Sequence, residues 1–220
     1  ARQRAKGHAL KVSFVVHLCF PFPPAVIIGG ISRGVLMSNR KLLVLKFGGS
    51  SLRDHAAIAQ VIDIVQNQSR LGPLVTVVSA MSSVTDRLLD IGKLSLHAKH
   101  RKVESALDNL RSLHSENFAS LAESQGTRDW MERFLDVQFA EIRGITEGIH
   151  LLGEFSERTR DKLLSYGEIL SSNLLARVLR DNGGSFRHSD ARDWIVGERT
   201  LRGFLVNSAE TENLIREHLL

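Results

Sequence analysis

Along this chain the spacing of apolar residues changes several times, and each change predicts an element. Leu42-Leu43-Val44-Leu45 is a short unbroken apolar run, the pattern of a strand buried on both faces. Beyond it Ile58, Val61, Ile62 and Val65 recur at helical spacing, so one side of a helix is apolar. Ser51-Leu52-Arg53-Asp54 reads as an S-x-x-D capping box opening that helix. Leu74-Val75-Thr76-Val77-Val78, introduced by Gly72-Pro73, predicts a second buried strand. It ends in the polar cluster Ser79-Ala80-Met81-Ser82-Ser83-Val84-Thr85-Asp86, and a helix follows from about Arg87.

From residue 88 to about 153 the chain turns charged and helical, with Leu107, Leu110 and Leu113, then Phe134, Leu135, Phe139 and Ile142, at amphipathic spacing. This predicts a helical insertion packed on the sheet, and the charges between Arg101 and Glu116 read as its solvated face. Ser156 can cap the next helix, which should run to Asp181 before Asn182-Gly183-Gly184 ends it. On that helix Leu164, Glu168, Ser171, Leu175 and Leu179 share a face, beside Leu163, Leu170, Leu174 and Val178. Ser185-Phe186-Arg187-His188-Ser189 predicts a third strand, ending at Asp190-Ala191-Arg192-Asp193. Residues 194 to 206 read as β-rich or loop, with a last helix starting near Ser208. There is no internal repeat and no low-complexity tract.

Apolar strands alternating with helices describe an α/β fold, a mainly parallel sheet with helices on both faces. Ligands bind such sheets beyond the carboxyl ends of the strands, where two polar segments converge. One is Lys46-Phe47-Gly48-Gly49-Ser50-Ser51. Two glycines let backbone N–H groups approach an anion without Cβ interference, the lysine supplies charge, and a helix N-terminus follows. A tight turn and a solvated lysine would give the same letters. The sequence lacks both G-x-x-x-x-G-K and G-x-G-x-x-G, so any phosphate site is of another kind. The other segment is the cluster from Ser79 to Thr85.

Glu168 is the second candidate. An unpaired carboxylate in an apolar stripe costs several kcal/mol, so an internal lysine or arginine, or a ligand's ammonium group, must meet it. The adjacent Gly167 weakens the helix by about 1 kcal/mol relative to alanine, which points to a close approach there. His188 reads as a structural strand residue. No metal-ligand spacing is present, and no residue is assigned to a metal.

The net charge of +5 changes this picture only at the N-terminus. Residues 1–40 hold six basic side chains and no acid, leaving 23 basic against 24 acidic groups in residues 41–220. No basic stripe remains for nucleic acid, and none is expected as a partner. The same forty residues carry the one cysteine, Cys19, and three of the four prolines. The uncharged stretch from 12 to 32 is long enough for a membrane span, but His17, the proline cluster and Gly29-Gly30 make it a poor one. We expect no membrane association. Residues 1–40 are read as a leader, disordered or outside the native coding sequence, with Met37 a natural start. A targeting peptide is the alternative.

In order, Lys46-Phe47-Gly48-Gly49-Ser50-Ser51, Val77-Val78-Ser79-Ala80-Met81 with Thr85, and Ser165-Tyr166-Gly167-Glu168-Ile169-Leu170-Ser171 resemble the aspartate kinases of the amino-acid kinase superfamily. The long helical insert, Leu151-Leu152-Gly153-Glu154 and Asp190-Ala191-Arg192 look more like the bifunctional aspartokinase/homoserine dehydrogenase branch. The resemblance covers roughly residues 41 to 210. It implies a three-layer αβα sandwich with a mainly parallel sheet, here the N-terminal part of a kinase domain over 41–220. It further implies ATP-dependent phosphorylation of the L-aspartate side-chain carboxylate to 4-phospho-L-aspartate, at the head of threonine, methionine, lysine and isoleucine synthesis. ATP and Mg²⁺ would be the cofactors, with NAD(P) only if a dehydrogenase domain follows.

By motif match, Lys46 is the catalytic cation and, with Phe47, Gly48 and Gly49, holds ATP phosphate. Ser50, Ser79, Thr85 and Glu168 bind substrate, Glu168 through the aspartate ammonium. The family's glycine-rich G-R-G-G-S-D-like segment for ATP is not among these residues, so the segment alone is expected to be inactive. No clean match marks the family's substrate-carboxylate arginine among Arg199 and Arg202, and Ser82-Ser83 stands where glycine is often found. A homo-oligomer is expected at full length, in the cytoplasm, or in a plastid if the leader is a transit peptide. The alternative function is a non-catalytic amino-acid-binding or oligomerisation module of the same fold. A glutamate or acetylglutamate kinase is disfavoured by the Glu168 motif.

Overall fold

The computed structural model describes residues 13–17, 42–97, 100–200 and 203–219. Four parallel strands form the main sheet: β1 (Ser13–His17), β2 (Leu43–Phe47), β3 (Leu74–Val78) and β4 (Phe186–Asp190), in the spatial order β2-β3-β1-β4. Between β2 and β3 runs α1 (His55–Leu71). Four helices separate β3 from β4: α2 (Val84–His97), α3 (His100–Ala119), α4 (Gln125–Leu152) and α5 (Glu157–Asp181). A small antiparallel pair, β5 (Gly197–Thr200) and β6 (Gly203–Val206), and the helix α6 (Ser208–Leu219) complete the described chain.

The two faces of the sheet are covered unequally. Register pairs Leu45 with Thr76 and Phe47 with Val78, so these side chains share one face. There Leu74 and Val78 join the main core with Ile58, Val61, Ile62 and Val65 of α1 and Leu163, Leu170, Leu174 and Val178 of α5. Each fully buried aliphatic side chain contributes about 2 kcal/mol. The opposite face holds a small cluster of Val75, Ala191 and Trp194, backed by Leu214 and Ile215 of α6. The fold is therefore α/β with helices on both faces of a parallel sheet, as the apolar strands predict.

Three expectations need correction. First, β2 is an edge strand, not one buried on both faces. Leu43 and Val44 are exposed, Val44 by 58%, because β3 pairs on one side of β2 and the described residues place no strand on the other. Second, Ser51 does not cap α1. Gly49–Leu52 forms one 3₁₀ turn, closed by the Ser51 N–H on the Gly48 carbonyl at 2.9 Å. Asp54, in extended backbone, is the cap and accepts the Ala57 N–H at 2.8 Å. Third, one short segment of the stretch read as a leader belongs to the sheet. Ser13–His17 pairs in parallel with β3 and β4, filling the slot between them with a run that includes Phe14, Val15 and Val16, residues suited to strands. The rest of the leader, including Cys19 and the prolines, lies outside the described residues.

The helical insertion, expected on the sheet itself, packs instead mainly on α5 and on its own members, because α5 lies between it and the strands. Leu107 and Leu110 of α3 and Leu135, Phe139 and Ile142 of α4 are fully buried. Part of the charge read as a solvated face joins α3 to α4. Arg111 pairs with Glu132 and Asp136, both at 2.7 Å, and Arg143 with Glu104 at 2.8 Å. The α4–α5 connection is docked by Phe155, whose ring covers Gly92 of α2 so closely that a Cβ there would lie 2.2 Å from it. Among the described residues no helix is long and apolar enough to cross a membrane.

Candidate functional site

The carboxyl ends of β2 and β3 bring the two sequence-predicted segments into contact. The Ser79 N–H donates to the Phe47 carbonyl at 3.1 Å, continuing the ladder one step past β3. Lys46, at the tip of β2, is exposed and has no ion-pair partner among the described residues. Gly48 has open space where a Cβ would stand. Gly49 is pressed against the next segment, and a Cβ on it would sit 3.1 Å from the Ala80 carbonyl oxygen. Phe47 is half-buried and Ser50 is exposed.

On the other flank of Ala80 stands α5. A Cβ on Gly167 would lie 2.8 Å from the Ala80 Cβ and 3.3 Å from Val84 Cγ1, which explains the glycine: the helix passes the loop at backbone distance. Ser171 Oγ donates to the Ser79 carbonyl at 2.8 Å. The Ala80 backbone N–H stands near enough to Glu168, the residue after Gly167, to favour its ionised form.

Burial pushes the Glu168 carboxyl up to about 7, while hydrogen bonding from its own N–H and that of Ala80 acts in the opposite direction. Among the described residues no lysine or arginine pairs with it, so the internal salt bridge is not what satisfies this acid. Thr85 lies in the first turn of α2 and is exposed, and Ser79 is half-buried. The structure thus ties Phe47, Gly49, Ser79 and Glu168 to one loop, residues 79–83, with Lys46 and Thr85 at its margins. Lys46 and Glu168 do not pair with each other.

Two contacts of this region were not read from the sequence. Tyr166 is buried and donates from Oη to the Glu141 carboxylate at 2.7 Å, linking α5 to α4 across 25 positions of chain. Burial, with Glu141 next to it, raises the phenol well above its ordinary range. At the end of β4, Asp190 accepts from Arg192 at 2.6 Å. His188 lies on β4, its Nε2 3.0 Å from Ser172 Oγ. The side chain of Arg199, and Arg202 altogether, lie outside the described residues.

The model of the amino acid kinase family matches residues 41–219. The chain belongs to the amino acid kinase family. Within that family it is similar to a bifunctional aspartokinase/homoserine dehydrogenase of Daucus carota, 30% identical over 166 residues, which cover 76% of this chain and 17% of the relative. An aspartokinase of Chlamydia pneumoniae is also 30% identical, over 73% of this chain and 32% of its own length. Among solved structures, Escherichia coli aspartokinase III in complex with aspartate and ADP matches with a TM-score of 0.70 at 21% identity, covering 82% of this chain and 38% of that one. At that identity the likeness shows the fold alone. This member of the amino acid kinase family therefore spans well under half the length of the relatives it matches.

Proposed function

We propose that this chain is the substrate-binding part of a kinase that transfers phosphate from ATP to the side-chain carboxylate of L-aspartate, giving 4-phospho-L-aspartate. The observation that carries the reading is Glu168: an acid with a raised pKa, without a cationic partner among the described residues, set against the same loop as the glycine turn. An ammonium group arriving there gains a carboxylate, and the carboxylate gains its missing cation. The names of the aspartokinase relatives, and the aspartate and ADP bound by the Escherichia coli enzyme, support the same substrate pair.

In this reading Lys46 offsets charge on the transferring phosphoryl group, and the Gly48 and Gly49 backbone holds its oxygens. Ser50, Ser79 and Thr85 hydrogen-bond the acceptor. Phosphoryl transfer needs positioning and charge stabilisation more than a covalent catalyst. Among the described residues no group of three acidic, histidine or cysteine side chains could hold a metal, so Mg²⁺ would arrive on the nucleotide's phosphates. The chloroplastic names of the plant relatives support the plastid alternative for location.

Calorimetric titration tests the proposal. L-aspartate should bind the wild-type chain and fail to bind Glu168→Gln, and the chain alone should show no turnover with ATP, Mg²⁺ and aspartate. Equal binding by both proteins would refute the role of Glu168. Binding of aspartate with no response to nucleotide in a longer form of the protein would favour the non-catalytic module.

A further inference from the structure

The loop that joins the two halves of the site contains a strained residue whose side chain has no use within the described protein. The Val84 N–H closes a four-residue turn on the Met81 carbonyl at 3.1 Å, and Ser83 is the third residue of that turn. Its φ is +63°, and it is the one non-glycine residue with positive φ among those described. Glycine is the ordinary occupant of such a position, because a Cβ there crowds the backbone. Met81 and Val84 are buried on either side of the turn, so the tip formed by Ser82 and Ser83 is held in place while both side chains stay exposed. The tip also lies beside the glycine turn: a Cβ on Gly49 would be 3.7 Å from Ser82 Cα. The Ser83 carbonyl accepts the Arg87 N–H at 3.0 Å, but its hydroxyl has no hydrogen-bond partner among the described residues.

Resting on the function proposed above, we infer that Ser83 is a substrate-binding residue whose Oγ donates to the side-chain carboxylate of the acceptor amino acid. Ala80 of the 79–83 loop lies beside both Glu168 and Gly49, and Ser82, next to Ser83 at the tip, also lies beside Gly49. In this inference an amino acid held by its ammonium group at Glu168 extends its side chain past Ala80 toward the Ser82–Ser83 tip and the phosphate end. A serine kept where glycine would be less strained is explained when its hydroxyl is used.

Two substitutions separate the hydroxyl from the strain. Ser83→Gly removes both and Ser83→Ala removes only the hydroxyl, so L-aspartate affinity and thermal midpoint are measured for each, with Glu168→Gln as the control. We expect both Ser83 variants to bind aspartate roughly tenfold more weakly, the loss of one hydrogen bond to a charged group. Ser83→Gly should also melt about 2–4 °C higher, and Ser83→Ala no higher than wild type. Unchanged affinity in either variant would overturn the inference, including the case where only glycine weakens binding, since loop flexibility would then be the cause. If wild type binds and Glu168→Gln does not, such a result removes Ser83 alone. If wild type itself does not bind aspartate, the reading of the whole site fails and Ser83 falls with it.

Discussion

Helix α5 carries two carboxylates whose surroundings drive them in opposite directions. Asp181, at its C-terminal end, accepts the Ser124 N–H at 2.8 Å, the Ser124 hydroxyl at 2.5 Å and the Thr127 hydroxyl at 2.9 Å. These donors hold its pKa below the ordinary range against the opposing effect of burial. Arg177 donates to the same Thr127 hydroxyl and lies over the Trp130 ring at 5.3 Å. Glu168, in the middle of the helix, has only backbone N–H groups near it among the described residues, and burial carries its pKa up to about 7. One acid is saturated by its own protein and fastens the start of α4 to the end of α5. The other has no cationic partner among the described residues at the carboxyl rim of the sheet, the surroundings in which an arriving cation would change it most.

Glu168→Gln tests the difference between the two acids most directly. We expect aspartate affinity to fall at least about 100-fold, as when one partner of a partly buried charge pair is truncated, with the fold intact by circular dichroism. In the wild type, affinity should fall roughly tenfold per pH unit below about 7, because the ammonium group requires the ionised acid. A flat calorimetric pH profile would contradict that.

Stability should change in the opposite sense. The folded protein holds the Glu168 proton between pH 4.5, the ordinary glutamate value, and about 7, whereas the unfolded chain has released it. The Glu168 contribution therefore declines as pH rises through this window. Glu168→Gln should gain on wild type across it by an amount on the order of 2–3 kcal/mol, read from denaturant titrations at several pH values. His114 acts in the reverse direction in both proteins. It is buried, and burial lowers it to about 4, so its contribution grows as pH rises from about 4 to 6.5. The difference between the two proteins isolates Glu168.

Gly167→Ala sharpens the contrast at the ligand end. Its methyl group would press on Ala80 and Val84, and we expect a loss of about 1–3 kcal/mol in stability together with weaker aspartate binding. Asp181→Ala should cost less, about 1–2 kcal/mol by urea denaturation, since it frees the cap of α4. It should leave aspartate affinity unchanged. An effect on binding would mean that the two ends of α5 are not independent.

Much of this was legible in the residues. The strand at 74–78, the helix from Glu157 to Asp181 with its Ser156 cap, and the apolar faces of α1 and α5 follow from spacing and cap chemistry, which act over a few neighbours. Edge or centre was not legible for Leu42-Leu43-Val44-Leu45, because an apolar run does not state which strands lie beside it. Nor was the cap of α1, where Ser51-Leu52-Arg53-Asp54 reads as a capping box but the 3₁₀ turn at Gly49–Leu52 leaves Asp54 as the cap. Ser13–His17 was hidden by the basic, proline-rich residues around it.

The amino-acid sequence alone determined which residues could do chemistry: a lysine before two glycines, and an acid in an apolar stripe next to Gly167. Only the tertiary structure decided that the glycine turn and the acid both abut Ala80, that no cation within the described chain reaches Glu168, and that Asp181 is fully engaged while Glu168 is not. The physical reason is range. Propensity, capping and periodicity are settled within a few residues, whereas the charge state of a carboxylate depends on groups that only the packed fold brings near it.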